Sequence, residues 1–188
     1  DMMAEVAATL AFSTIANNDK VGVIFFSDKI EKYIPAQKGK THVLHIIREL
    51  LSFEPSSKGT DMAQALQYFA NAQKRHCTAF LISDFIGAGA VDKPLLIASN
   101  RHEVNAIQIY DRREAELPNI GLVKFHDAES DNDLWIDTSL ATVRDDYAQA
   151  WKQNQDSLEQ LFTRTGVNHI SVRTDEDYVK ALMHLFKC

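Results

Sequence analysis

The sequence predicts an α/β domain built on a doubly wound, mostly parallel sheet. Short and nearly continuous apolar runs at 21–26, 78–83 and 104–110 alternate with longer segments whose apolar residues recur at helical spacing. Strands that are apolar throughout are typical of a parallel sheet covered by helices on both faces. With 188 residues, the chain has the length of a single domain, 1–188.

The first part of the chain predicts a helix, two strands and a second helix. Residues 3–14 repeat apolar side chains at intervals of three and four, which predicts a helix that ends near Asn17. The run 21–26 predicts a buried strand, and the alternating run 30–34 predicts an antiparallel neighbour at the edge of the sheet. Thr41 is the expected N-cap of the second helix.

The middle of the chain predicts two further strands, each followed by an aspartate. A third helix carries Met62 and Leu66 on its apolar face, and the strands at 78–83 and 104–110 precede Asp84 and Asp111. The helix between these two strands has Pro94 in its first turn, where a missing N–H is tolerated. This order of elements is what a parallel sheet requires.

The last part of the chain interrupts the alternation and then resumes it. Apolar residues on either side of the polar stretch 127–133 predict a β-hairpin inserted at about 120–137. The longest helix is predicted over 143–162 and ends at Gly166, before a strand at 167–172. Thr174 and Asp177 resemble a capping box for the closing helix.

Composition and charge exclude several classes of protein. The net charge is −6 and no basic block occurs, which argues against a nucleic-acid partner. No apolar run reaches the roughly 20 residues of a membrane span. Cys77 and Cys188 are far apart, which favours a reducing compartment and therefore a cytoplasmic protein. The chain opens inside a predicted helix, so we expect a longer parent protein.

Motifs of common enzymes are absent from the sequence. It contains no phosphate-binding loop, no dinucleotide-binding fingerprint and no nucleophile elbow. His42 and His45 are three residues apart on a predicted helix, but no cysteine or glutamate stands at zinc-like spacing, so a solvated helix surface is the favoured interpretation. A catalytic or binding site must therefore be sought among other residues of the chain.

Polar residues cluster where predicted strands end and where one helix begins. In open α/β sheets ligands bind outside the carboxyl ends of the strands. Hard oxygen donors at that edge would suit Mg²⁺. The residues concerned are Ser27-Asp28, Gly59-Thr60-Asp61, Ser83-Asp84 and Asp111.

Each of these residues also has a purely structural interpretation. Thr60 could cap the helix that follows it. Asp28 and Asp84 could be turn residues, and Asp111 could form a surface ion pair with one of the arginines at 112 and 113.

Several segments resemble known families. Lys58-Gly-Thr-Asp-Met-Ala-Gln-Ala-Leu66 and Phe80-Leu-Ile-Ser-Asp-Phe85 resemble the second and third segments of the metal-ion-dependent adhesion site in von Willebrand factor A domains, which have a Rossmann-like fold. Together with 7–12, 18–22, 26–28, 33–35 and 174–178, these segments resemble the bacterial "domain of unknown function 58" family. The resemblance covers essentially all 188 residues.

The resemblance implies a divalent metal site that is half present in this chain. Thr60 would be the threonine of the site and Asp84 its late aspartate, with Asp61 and Ser83 in support and Asp28 and Asp111 as further candidates. The family's first segment, Asp-x-Ser-x-Ser, does not occur here. We therefore expect Mg²⁺ or another divalent cation in the intact parent protein, and weak or absent binding by this chain.

The resemblance also implies a function. The implied function is that of a non-enzymatic protein-binding module, which works with a MoxR-type AAA+ ATPase in protein assembly or maturation. The implied parent protein is cytoplasmic or membrane-associated. A Mg²⁺-dependent phosphoryl-transfer or phospho-acceptor domain is one alternative, and a structural fragment whose function lies in residues outside this chain is another. The strand that would separate 21–26 from 78–83 is missing here, so we also expect self-association through the slot it leaves.

Overall fold

The computed structural model describes residues 2–57, 59–87, 89–126 and 133–185. Helices and strands alternate over most of this length, as the sequence predicts. In chain order the elements are α1 (Met2–Asn17), β1 (Val21–Phe26), β2 (Ile30–Gln37), α2 (Lys40–Ser52), α3 (Met62–Ala72), β3 (Thr78–Ser83), α4 (Asp92–Ser99), β4 (Glu103–Tyr110), α5 (Arg112–Ala115), β5 (Leu122–His126), β6 (Asp133–Asp137), α6 (Ala141–Thr165), β7 (Asn168–Arg173) and α7 (Tyr178–Leu185).

The core of the molecule is a three-stranded parallel sheet in the order β3-β4-β7. In its register, Ile107 of the central strand lies between Ile82 and Ile170. Residues 104–109 of β4 are all buried, as expected for a strand with a neighbour on each edge and helices on both faces. The predicted α/β class and parallel strand order are confirmed for this sheet.

The predicted antiparallel pairing of the first two strands is confirmed, and this pair is separate from the parallel sheet. β1 and β2 form their own antiparallel pair, in which Ile24 lies opposite Tyr33. Gly22 permits this pairing, because a Cβ atom at that position would lie 2.7 Å from the carbonyl oxygen of Ile34. In the described part of the chain, β1 and β3 are not hydrogen-bonded to each other.

Helix α1 connects the two sheets through one apolar surface. Its Val6 packs in the same cluster as Ile107, with Leu10 and Phe80 against that cluster. One turn further along, Ala11 packs with Phe25 of β1.

Helix α3 makes the corresponding connection on the opposite face of the strands. Met62 and Leu66 form a cluster against which both Phe26 of β1 and Leu81 of β3 pack. Side chains alternate between the two faces of a strand, so α1 and α3 cover opposite faces of both β1 and β3. The β1–β2 pair and the parallel sheet therefore lie side by side between these two helices.

Helix ends follow the sequence prediction at one terminus and depart from it at two. Gly166 ends α6 in the left-handed conformation, with φ of 66°, as expected. The prediction of Thr41 as an N-cap is wrong, because α2 begins at Lys40 and the capping position is Gly39. The predicted capping box is also wrong. Asp177 accepts a hydrogen bond from Val179 N at 3.0 Å, and Thr174 instead donates to Asp111 at 3.1 Å.

The predicted hairpin is confirmed as an antiparallel pair of β5 and β6, in which Val123 lies opposite Ile136. Thr138 holds its base, because its hydroxyl donates to the Gly121 carbonyl at 2.7 Å and accepts from Ile120 N at 3.0 Å. The polar stretch at 127–132 lies outside the described residues.

Candidate functional site

The carboxyl end of β1 is fixed by a buried serine and a glutamate. Ser27 is 4% exposed, and its hydroxyl donates to Glu31 Oε1 at 2.7 Å. Ser56 donates to the same carboxylate from both its backbone N–H and its hydroxyl. The hydrogen bonds from Ser27 and then Ser56 lower the pKa of Glu31. Glu31 is therefore ionised at neutral pH and joins the loop before α3 to the end of β1.

The loop at 59–61 lies directly against this strand end. The backbone N–H of Asp61 donates to the Ser27 carbonyl at 2.8 Å, and a Cβ atom on Gly59 would lie 3.5 Å from that of Asp28. Asp61 caps α3, since its Oδ1 accepts from Gln64 N at 2.8 Å. The interpretation of Thr60 as the cap is therefore wrong. Thr60 is exposed, and its hydroxyl has no hydrogen-bond partner among the described residues.

The carboxyl end of β3 is a tight turn built by two adjacent side chains. Ser83 Oγ accepts from Phe85 N at 3.1 Å, and Asp84 Oδ1 accepts from Ile86 N at 3.0 Å. These bonds hold Phe85 in the left-handed region, with φ of 59°, while its ring is 2% exposed in the core. Asp84 thus serves as a turn residue with one of its oxygens, and Ser83 supports the same turn.

A buried glutamine joins the ends of all three parallel strands. Gln108 of β4 is 3% exposed and donates from Nε2 to the carbonyl of Asp84 at 3.2 Å. Its Oε1 accepts from the hydroxyl of Ser171 on β7 at 2.8 Å. Gln108 is not among the predicted site residues. The available signal was an amide side chain within a mostly apolar strand, where a buried amide requires hydrogen-bond partners.

Asp111, which follows β4, is engaged at both carboxylate oxygens. Oδ1 accepts from Arg113 N at 2.8 Å as the N-cap of α5, and Oδ2 accepts from Thr174 at 3.1 Å. Its backbone N–H donates to Glu114 Oε1 at 3.1 Å, which completes a capping box. The expected ion pair with a neighbouring arginine is not what holds Asp111, since Arg112 pairs with Glu116.

Glu114 is a further carboxylate that the sequence analysis does not predict. Its second oxygen, Oε2, is buried and has no hydrogen-bond partner among the described residues. Burial raises the pKa of Glu114, and the nearby carboxylates of Asp84 and Asp111 act in the same direction. Three carboxyl groups, those of Asp84, Asp111 and Glu114, therefore lie close enough beyond the ends of β3 and β4 for their repulsion to disfavour the ionised form of Glu114.

The described residues do not by themselves make a complete site for a divalent cation. Mg²⁺ requires near-octahedral oxygen ligands, with one or two carboxylates as the usual protein contribution. Thr60 offers a neutral hydroxyl, Asp84 has one oxygen committed to a turn and Asp111 has both committed. Among the described residues, no cluster of three or more His, Cys, Asp or Glu side chains could hold a metal ion. No hydrogen bond in the described ranges joins Thr60 to Asp84, and their proximity stays a prediction.

A three-stranded parallel sheet between helices defines an α/β domain. The chain belongs to the family described as protein of unknown function DUF58, whose model matches residues 1–157. It is 30% identical over 183 residues to the uncharacterized protein Mb1516 of Mycobacterium bovis, covering 95% of this chain and 57% of that relative. It is also 30% identical over 158 residues to the uncharacterized protein MAV169 of Mycobacterium avium, covering 82% of this chain and 92% of that relative.

Two solved structures share the fold. The conserved hypothetical protein BatB from Bacteroides thetaiotaomicron superposes with a TM-score of 0.55 at 17% identity, over 98% of this chain and 86% of that one. An aerotolerance-related membrane protein from Bacteroides fragilis, studied with multiple mutations to serine, superposes with a TM-score of 0.57 at 18% identity, over 98% and 89%. No helix within the described ranges of this chain is long and apolar enough to cross a membrane.

Proposed function

We propose that this chain is a von Willebrand factor A-type protein-binding module that carries part of a metal-ion-dependent adhesion site. The observation that carries the proposal is that two adjacent residues have different roles in the structure. Asp61 caps α3, whereas Thr60 is exposed in the loop before α3 and has no hydrogen bond among the described residues. A hydroxyl that the fold does not use is available to a ligand.

In this proposal, Thr60 and Asp84 contribute to the site and Asp61 and Ser83 hold the two loops that present them. The remaining ligands would come from a segment of Asp-x-Ser-x-Ser type in the parent protein, which the resemblance implies and this chain lacks. When bound, a divalent ion would neutralise the negative charge around Asp84 and accept a carboxylate from the partner. Membership of the DUF58 family supports the proposal.

The proposed partner is an AAA+ ATPase of the MoxR type, in protein assembly or maturation. This assignment rests on the family resemblance. In this proposal the parent protein is cytoplasmic or membrane-associated; the fold is shared with a protein described as an aerotolerance-related membrane protein.

The test is binding of the full-length parent protein to the MoxR-type ATPase of the same organism, measured by biolayer interferometry with Mg²⁺ and with a chelator. Thr60→Ala and Asp84→Asn are expected to weaken binding at least tenfold, about 1.4 kcal/mol. The matched controls are Thr163→Ala and Asp156→Asn, which alter exposed residues of α6. Binding that is indifferent to the chelator and to both site variants would refute the proposal.

A further inference from the structure

The hairpin of β5 and β6 presents large apolar side chains to solvent on one of its faces. Leu122 lies opposite Asp137 in the register and Trp135 lies opposite Lys124, so Leu122 and Trp135 are diagonal neighbours on the same face. Leu122 is 64% exposed and Trp135 is 61% exposed. We refer to the hairpin face that carries these two residues as the Trp135 face.

The opposite face of the hairpin is better covered. Val123, Phe125 and Ile136 project from it and are half-buried. Leu134 lies on that face too, next to Trp135 in the chain, and is 61% exposed. Contiguous exposed apolar side chains mark surfaces that bind other molecules, and tryptophan is among the residues that contribute most to binding energy. The Trp135 face therefore has the composition of a docking surface.

The charge around this face is negative. In the sequence, residues 120–140 contain five acidic side chains and one lysine, so this segment carries −4 of the chain's net charge of −6. The lysine, Lys124, is paired with Asp133 at 2.6 Å. Asp137 lies on the same face, and hydrogen bonds from the side chain and backbone of Ser139 lower its pKa, so its carboxylate is ionised at neutral pH. A positively charged partner is therefore favoured.

This charge distinguishes between three kinds of occupant. A bilayer that contains anionic lipids repels an acidic segment. A second copy of the chain brings the same negative charge, and like charges across an interface are unfavourable. A protein segment in which apolar residues alternate with lysine or arginine complements both the apolar side chains and the carboxylates. We infer that the Trp135 face docks a basic, partly apolar segment of a partner protein. The inference goes beyond the proposed function, because the docking residues are separate from Thr60 and Asp84.

The first test is calorimetric titration of this chain with a short synthetic peptide of alternating lysine and leucine. We expect the wild-type chain to bind the peptide, and Leu122→Ser and Trp135→Ser each to raise the dissociation constant at least tenfold. Leu134→Ser is the matched control, since Leu134 is as exposed as Trp135 but lies on the opposite face of the hairpin. Circular dichroism checks that the variants are folded. Failure of the wild-type chain to bind, binding that Trp135→Ser leaves intact, or equal weakening by Leu134→Ser overturns the inference.

The second test separates a basic protein segment from the other occupants. In a Trp151→Phe chain the only tryptophan is Trp135, and its emission should shift to shorter wavelength with the lysine peptide but not with a peptide in which glutamate replaces lysine. Asp137→Asn should weaken binding and reduce its dependence on salt.

Three outcomes of the second test contradict the inference. An equal shift with the glutamate peptide would show that charge does not select the partner. A shift with vesicles of phosphatidylcholine and phosphatidylglycerol, and none with the lysine peptide, would assign the face to a membrane. If the full-length parent protein failed to bind the lysine peptide that this chain binds, the face would be covered by other residues of the parent itself.

Discussion

Replacing Asp61 with alanine separates the structural and functional roles of two adjacent loop residues. Asp61 Oδ1 accepts from Gln64 N at 2.8 Å, so Asp61→Ala removes the N-cap of α3. Loss of an N-cap costs about 1 kcal/mol. Loss of a negative charge in the first turn costs a further ~0.3–1 kcal/mol. The hydrogen bond from Asp61 N to the Ser27 carbonyl is a backbone contact and is kept.

The assay is urea and thermal unfolding of four chains. For a protein of this size, 1 kcal/mol corresponds to roughly 2–4 °C in melting temperature, so a loss of about 1.5 kcal/mol lowers it by roughly 3–6 °C. Asp61→Asn keeps the oxygen acceptor and should lose less than about 1 kcal/mol. Thr60→Ala removes an exposed hydroxyl without a described partner and should change the free energy of unfolding by less than about 0.5 kcal/mol.

Two outcomes would contradict the roles assigned to Thr60 and Asp61. If Thr60→Ala destabilised the protein as much as Asp61→Ala, the hydroxyl of Thr60 would have a structural role, and its availability to a ligand would no longer follow. Equal stability of Asp61→Ala and the wild type would instead show that α3 does not depend on its cap.

Three further predictions concern a histidine, the metal and a glycine. His102 is 3% exposed, and burial lowers its pKa, so the unfolded chain binds a proton more readily than the folded chain does. The free energy of unfolding should therefore fall as the pH drops below the ordinary histidine pKa of about 6.5, and His102→Phe should flatten that part of the pH profile. Calorimetric titration with Mg²⁺ or Mn²⁺ should show at best millimolar affinity, and micromolar binding would mean that other side chains complete the site. Gly22→Ala should destabilise the chain by about 1–3 kcal/mol in urea unfolding through contact with the Ile34 carbonyl, whereas Gly59→Ala, with 3.5 Å to the Cβ of Asp28, should change stability far less.

The alternation of strands and helices was predictable from the sequence because it follows from local periodicity. Runs such as 78–83 and 104–110 are apolar on both faces, which only a helix-covered sheet accommodates. The pairing of strands was harder to predict from the sequence, since periodicity does not identify which strand lies on each edge. The separation of β1 from β3 was expected from the family resemblance, which implies a strand between them, and not from periodicity.

The candidate site was predictable as a region and not in the role of each residue. Thr60 and Asp61 are both competent N-caps, and the choice between them depends on where α3 starts, a boundary that tertiary contacts decide. Thr174 was expected to cap α7 but donates to Asp111, 63 residues away. Such a long-range partner leaves no local pattern, and the same holds for Gln108, whose partners lie on two other strands.

The separation of the β1–β2 pair from the parallel sheet sets the order in which contacts form during folding. β1 and β2 are joined by a short turn, and their apolar cluster with α2 uses residues from the first third of the chain only. The ladder between β4 and β7 instead pairs Asn105 with Asn168, so a segment of 63 residues must be closed before it forms. Closing long segments is entropically costly and slow. The amino-terminal unit should therefore be in place while the ribosome is still making the strand that completes the parallel sheet.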